Sequence, residues 1–281
     1  MKKYILLLLI SLFITQPTYA WSIGGWNSDE FAVKKLLKSQ VKYANETNFE
    51  KFIKTYDHKY VNSDGFNLDT YSNLVKDIWQ TYDNIEYDIE ISNITIDENR
   101  AVVDLIESSY AKIAMSTKYK GELKSSANTV YYLEKINGSW KVVSDRVIDE
   151  TTTMLYGDAK GLDIKLSVPN KIGANEEYCA TLEFIPPPET FAVASIASDI
   201  VEYPQKPTTE VFRAMPEDNI LERLFTANTQ NANEYIVASI GLTKTSVCNL
   251  NLNLSLTGFG YAIKRVNVVS ENVGEKNDKN K

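Results

Sequence analysis

Histidine is almost absent from this chain: His58 is the only one in 281 residues. Cysteine is nearly as scarce, with Cys179 and Cys248 alone. A zinc site takes about four clustered Cys or His ligands, so no metal site is expected. No Gly-x-Ser-x-Gly element occurs, which removes the hydrolase nucleophile turn. Gly258-Phe259-Gly260 stops one glycine short of a dinucleotide loop, and no cofactor is expected. Basic residues number 30 against 37 acidic ones, and no stretch gathers enough of them to grip nucleic acid. Beyond Ile14 no apolar run approaches the roughly 20 residues that cross a bilayer.

What the chain does have begins at its N-terminus. Lys2 and Lys3 precede an apolar run from Ile5 to Ile14, broken only by Ser11, and Thr18-Tyr19-Ala20 follows. This is the layout of a secretory signal peptide, with cleavage between Ala20 and Trp21. The run is too short for a membrane anchor, and no Cys follows the cleavage point to carry a lipid. The expected location is therefore extracytoplasmic, secreted or periplasmic in a bacterium, with no stable membrane insertion after cleavage. Loss of Lys2 and Lys3 takes the net charge from −7 to −9. Beyond the leader (1–20), the length suggests two domains, 21–155 and 156–269, and a polar, disordered tail at 270–281.

The first domain reads as helices followed by strands. Phe31, Val33, Leu36, Leu37, Val41 and Ala44 recur at helical spacing over 28–46. Thr47-Asn48-Phe49-Glu50 has the form of a capping box and opens a second helix with Phe49, Phe52, Ile53 and Tyr56 on one face. Asn62-Ser63-Asp64-Gly65 is a turn. Tyr71, Leu74, Val75, Ile78, Trp79 and Tyr82 form a third, strongly striped helix. After Asn84 the period drops to two: Ile85, Tyr87, Ile89 and Ile91 alternate with acids. Return strands follow over 101–114 and 117–136, and Asn137-Gly138 is a hairpin turn into a strand over 140–148. Helices first and an antiparallel meander after them make an α+β fold, the helices covering one face of a curved sheet.

Thr47-Asn48-Phe49-Glu50-Lys51-Phe52, Tyr60-Val61-Asn62-Ser63-Asp64-Gly65 and Leu133 to Asp145 with its Gly138-Ser139-Trp140-Lys141-Val142 run carry a resemblance. Together they resemble the nuclear transport factor 2-like superfamily, the cone fold of ketosteroid isomerases, SnoaL-like cyclases and many non-catalytic modules. The resemblance covers residues 28–152. It implies a pocket between the helices and the concave sheet face. In the family's isomerases a carboxylate just after the second helix is the base. Here Ser63 holds that place and Asp64 is one residue late, in a turn where acids are common, so the base does not carry over. His58 falls where the pocket mouth would be, either as a proton-transfer group or as a cation closing a helix C-terminus. Tyr60, Trp79, Tyr82, Tyr131 and Arg146 are the further candidates for the pocket. For Trp79 and Tyr82 the alternative is core packing. Arg146 shares a strand face with Trp140, Val142 and Ile148, so it is either paired in the pocket or its face is wet.

The second domain alternates throughout. Leu162 to Val168, Tyr178 to Phe184, Ile236 to Leu242 and Leu250 to Leu256 each put every second residue on an apolar face. Pro186-Pro187-Pro188 ends one strand, and Pro216 to Phe225 reads as a helical turn or a strand. The pattern suggests an all-β sandwich, resembling immunoglobulin-like domains in pattern and size. In an oxidising compartment Cys179 and Cys248 are expected to form a disulfide. The parity objects: Cys248 shares its face with leucines, Cys179 with Thr181 and Glu183. The functional expectation is a non-catalytic module that binds a small molecule or a partner protein through the cone. The alternatives are an isomerase, dehydratase or cyclase with a pocket acid–base residue, and a structural envelope protein with a filled cone. A homodimer through the cone sheet is compatible with each.

Overall fold

A computed structural model describes residues 28–270 except 83, 117, 207–208 and 249–250, and no side chain at 246–248 or 251–252. The leader, the Ala20/Trp21 cleavage point and the tail from 271 lie outside the described residues.

Three helices come first: α1 (Ser28–Asn45), α2 (Phe49–Ile53) and α3 (Leu68–Thr81). α1 buries Val33, Leu37, Gln40 and Ala44, the stripe that helical spacing sets on one face. The cap of α2 differs from the expected box. Thr47 sits at φ 49°, a left-handed conformation outside the usual N-cap region, with its hydroxyl turned back to donate to Glu46 O. Asn48 takes the role one residue later, its Oδ1 accepting from Lys51 N at 3.2 Å. Asn67 caps α3 in the same way, accepting from Thr70 N at 2.9 Å.

Four long strands follow: β1 (Glu86–Asp97), β2 (Arg100–Ala114), β3 (Lys120–Ile136) and β4 (Ser139–Gly157). They form an antiparallel meander. Asn137 and Gly138 turn β3 into β4 with φ 50° and 79°, as a two-residue hairpin loop of this handedness requires. The helices cover one face, and between them lies a core that includes Phe52, Tyr60, Val103, Leu133 and Val142. The chain is thus an α+β cone in its first part, three helices on a curved antiparallel sheet.

β4 does not stop near Ile148. The residues expected to be a join, Thr151-Thr152-Thr153, continue the strand to Gly157, as β-branched side chains favour. The turn out of it is a 3-10 turn at Asp158–Gly161. The remaining elements are strands: β5 (Lys165–Ser167), β6 (Lys171–Gly173), β7 (Glu177–Glu183), β8 (Thr190–Ile200), β9 (Arg213–Ala214), β10 (Ile220–Thr226), β11 (Glu234–Cys248) and β12 (Asn251–Val269). β12 adds to the free edge of β4, pairing 258–264 with 151–157. One sheet therefore runs β1-β2-β3-β4-β12-β11-β8-β9 across both parts of the chain, and β6 joins β12 in parallel. At the seam Gly157 is at φ 58° and a Cβ on it would strike Thr257 O, so only glycine lets the two strands meet there.

A smaller sheet, β10-β7-β5, faces the far part of the large one. Between them are Ala180, Leu182, Phe184, Ile196, Ile236 and Leu242, all almost fully buried. One expectation changes here. Leu254 and Leu256 are 61% and 39% exposed. β8 stops pairing with β11 at Lys244 and β4 stops pairing with β12 at Gly258, so the hairpin end carrying those leucines has no neighbour to bury them. Cys179 is a free, exposed thiol on the outer face of β7, opposite Leu224 of β10. The side chain of Cys248, its expected partner, lies outside the described residues.

Candidate functional site

The concave face of the sheet is set by alternation. On β2 it is presented by Ala101, Val103, Leu105, Glu107, Ala111 and Ile113. On β3 it is Leu123, Thr129, Tyr131 and Leu133. On β4 the alternation slips. Tyr132 pairs with Ser144 and Leu133 with Val142, leaving Val143 as an extra residue, a β-bulge. The inward positions are therefore Trp140 and Val142, then Asp145. This corrects the reading of Arg146: the bulge shifts the phase by one, so Arg146 points outward and is exposed.

Between this face and the helices is a cavity of about 160 Å³. α1 supplies Leu37, Gln40, Val41 and Ala44. Phe52 and Tyr56 come from α2 and the turn after it, and α3 contributes Tyr71, Leu74, Val75, Ile78 and Trp79. The sheet adds Tyr87, Leu105, Glu107 and Tyr131. The rings brace one another: Phe52 meets Trp79 edge-on at 5.5 Å and Tyr56 meets Tyr71 at 5.1 Å. Trp79 Nε1 donates to the Tyr87 hydroxyl at 3.1 Å, and the Tyr56 and Tyr71 hydroxyls share a bond at 3.1 Å.

Besides the tyrosine hydroxyls, the polar groups of this lining are Gln40, Asp88, Glu107 and Ser108. Glu107 accepts from the Tyr131 hydroxyl at 2.7 Å and from Thr129 Oγ1 at 2.8 Å, one donor on each oxygen. Burial pushes its carboxyl above the usual range, and the two donors oppose that. Gln40 is 5% exposed and its Nε2 has no hydrogen-bond partner. An amide buried without a partner costs on the order of 1–3 kcal/mol, a cost that a group entering the cavity would relieve.

Behind the cavity wall is a second carboxyl. Asp145 accepts a short hydrogen bond from the Tyr60 hydroxyl. Burial lifts it to about 7; the Tyr60 bond pulls the other way, while the charges of Glu107 and Asp64 add to the rise and Arg265 offsets it. Tyr60 is 1% exposed and packs on Tyr56 at 5.0 Å and Tyr71 at 5.4 Å.

Of the candidates named from the sequence, the structure brings Trp79 and Tyr131 into the cavity. Tyr60 is one layer behind it. Tyr82 belongs to the neighbouring cluster around Ile85 and Tyr156, its hydroxyl 3.4 Å from Met154 Sδ. His58 is not at a pocket: its side chain is 78% exposed, with Nδ1 3.2 Å from Asp57 Oδ2 in the turn after α2. Asp64 is in its expected turn but is no solvent-facing turn acid. Its side chain is 6% exposed and ion-paired with Arg265 of β12, 1% exposed, and Asn233 Nδ2 donates to it at 2.7 Å. That pairing also removes it as a base. Sequence reading missed Glu107, Gln40 and Asp145. Glu107 had a visible signal, a lone charge in an otherwise apolar and small inward row. Among the described residues no group of His, Cys, Asp and Glu is assembled that could hold a metal ion.

No protein-family model and no curated protein matches the chain. Twenty-nine solved chains are similar to it. One is Bd1075 of Bdellovibrio bacteriovorus, 14% identical with a TM-score of 0.34, over 41% of this chain and 38% of that one. The chain thus spans well under half the length of that relative. Another is a protein of unknown function with a cystatin-like fold from Nostoc punctiforme, 12% identical with a TM-score of 0.36, over 43% of this chain and 90% of that one. A third is an NTF2-like protein of unknown function from Pseudomonas putida, 11% identical with a TM-score of 0.31, over 43% and 85%.

Proposed function

We propose that this is an extracytoplasmic, non-catalytic binding protein whose cone holds one small, largely apolar molecule. The observation that carries this is the cavity: open, ring-lined, and containing a buried amide, Gln40, with no partner. The volume is about that which takes one benzene ring. An unfilled cone speaks against a purely structural role. The second half serves as a β-sandwich that holds the cone through the shared sheet.

A catalytic reading has one observation in its favour, the raised carboxyl of Glu107 inside the cavity. The other titratable groups lining the cavity are Asp88 at its rim and the hydroxyls of Tyr56, Tyr71, Tyr87 and Tyr131, which burial makes poorer proton donors. Asp145 is not among the cavity residues, and His58 is outside. The binding reading is the stronger.

Native mass spectrometry of protein taken from its own host tests the reading. Expected is a non-covalent adduct of small mass, on a chain beginning at Trp21, that is lost in Ala44→Phe. Ala44 lines the cavity at 5% exposure, and a phenyl group there fills it. Equal adducts on both proteins would sink the idea. The same spectrum reports assembly. We propose a homodimer through the outer face of the cone sheet, where Val102 and Tyr132 stand opposite each other, more than a third exposed; a spectrum of monomer only would exclude it.

A further inference from the structure

The lining of the cone cavity has a charge of one sign only. Glu107 is inside it, Asp88 is at its rim, and no lysine, arginine or histidine is among the residues that line it. Arg265, beyond the cavity, is committed to Asp64. An anion buried without a cation is costly, and the protein spends two donors, Tyr131 and Thr129, to hold it in place. A hydroxyl donor stabilises a carboxylate but leaves its charge in place, and each oxygen keeps a further acceptor position.

The rest of the wall suits the same partner. Phe52, Tyr56, Tyr71, Trp79 and Tyr131 present aromatic rings around one space. A ring face is negative, and a cage of such faces attracts a positively charged group that has lost its water. Gln40, on the opposite wall from Glu107, offers an amide whose carbonyl end accepts and whose NH2 end donates. The unpartnered end is Nε2, a donor, so an acceptor atom on the bound molecule's body would find its partner there.

Resting on the reading of the cone as a binding site, we propose that its ligand is an organic cation: a protonated amine on a compact apolar or aromatic body, its nitrogen paired with Glu107 and its body held by the aromatic walls. A neutral ligand would leave the carboxylate uncompensated. An anionic one would meet it with like charge.

The groups around Glu107 fix the sign of the pH dependence. From β3 it faces Tyr131. From β4, Asp145 and Glu150 act on its environment, and from the helical side Tyr60 and Tyr71. β1 contributes Tyr87 and Asp88, and α1 the uncharged Gln40. None of these is a cation. Burial raises Glu107, so acid protonates it sooner than an ordinary carboxyl and removes the partner of the amine. Amine affinity therefore increases as pH rises through the titration of Glu107 and holds until the amine itself deprotonates. A neutral acceptor that needed the protonated acid would show the opposite slope.

Three probes of one shape separate the cases: benzylamine, benzyl alcohol and benzoate, each titrated calorimetrically into the whole chain. At pH 7.5 benzylamine is expected to bind about tenfold or more tighter than benzyl alcohol, as a charge-assisted pair in a desolvated site implies, with benzoate the weakest. Its affinity should fall as the pH is lowered through the titration of Glu107. In Glu107→Gln the amine preference should shrink to within about twofold while benzyl alcohol still binds. Should that variant fail to fold, the order of the three probes on the wild type alone decides. Equal binding of benzylamine and benzyl alcohol, an affinity that rises in acid, or an amine preference surviving in Glu107→Gln overturns the cation assignment and leaves the cavity reading standing. If none of the three binds, the binding role of the cone falls with it.

Discussion

Asp145 is a carboxyl whose chemistry departs far from its type. In the unfolded chain it titrates as an ordinary carboxyl near 4; in the fold it is lifted to about 7 by burial. Between those values the native state holds a proton that the unfolded chain has released. Stability is therefore full in mild acid, falls as pH rises through this window, and is level above it. Glu107 and Glu150, also raised by burial, slope the same way. Asp145→Asn is expected to remove most of this slope, worth on the order of a few kcal/mol across the window. Urea unfolding at pH 4, 6 and 8 measures it; an undiminished slope in the variant would place the effect elsewhere. At this scale the sequence was partly legible. Glu107 stands out as a charge among Val103, Leu105, Ala111 and Ile113, and Trp79 and Tyr131 were readable as pocket candidates. Asp145 and Arg146 were not, because which of them faces inward depends on the extra residue Val143, and no local pattern announces a bulge.

Among elements, α1, α3 and β1 to β3 follow from periodicity alone, since each buries one face against the same core. The ends are less legible. Thr47-x-x-Glu50 has the form of a capping box, yet the chain places Asn48 at the cap, because Thr47 is in a left-handed conformation that ends α1. The two accounts separate by mutation. Asn48→Ala is expected to cost about 1 kcal/mol, and Thr47→Ala less than about 0.5 kcal/mol. Chemical denaturation of both variants checks this; a larger loss from Thr47→Ala would restore the box. β4 exceeds its expected length for a different reason. Its last third pairs with β12, roughly a hundred residues later in the chain, and such long-range pairing leaves no mark in a local window.

In the whole molecule, that shared strand makes the two halves one sheet. A buried contact reinforces it: Asp64 of the cone against Arg265 of β12, with Asn233 on the same carboxylate and Asn267 held between Arg265 and Ile148 O. Removing one partner leaves the other charge buried alone. Asp64→Ala is expected to cost about 3–5 kcal/mol and to lower a single transition seen alike by Trp fluorescence and far-ultraviolet dichroism. Two separated transitions would mean that the halves unfold independently. The turn at Asn62 to Gly65 was legible as a turn; its role as the bolt between halves was not, because Arg265 is distant in sequence.

The central claim is that the cone cavity admits a small molecule, and Trp79 is in its wall. Its indole N–H signal in a two-dimensional nitrogen–proton spectrum reports directly on occupancy. With benzylamine the account predicts a saturable shift of that signal, lost in Ala44→Phe. An indole signal that does not move, or that moves equally in the filled variant, would contradict it.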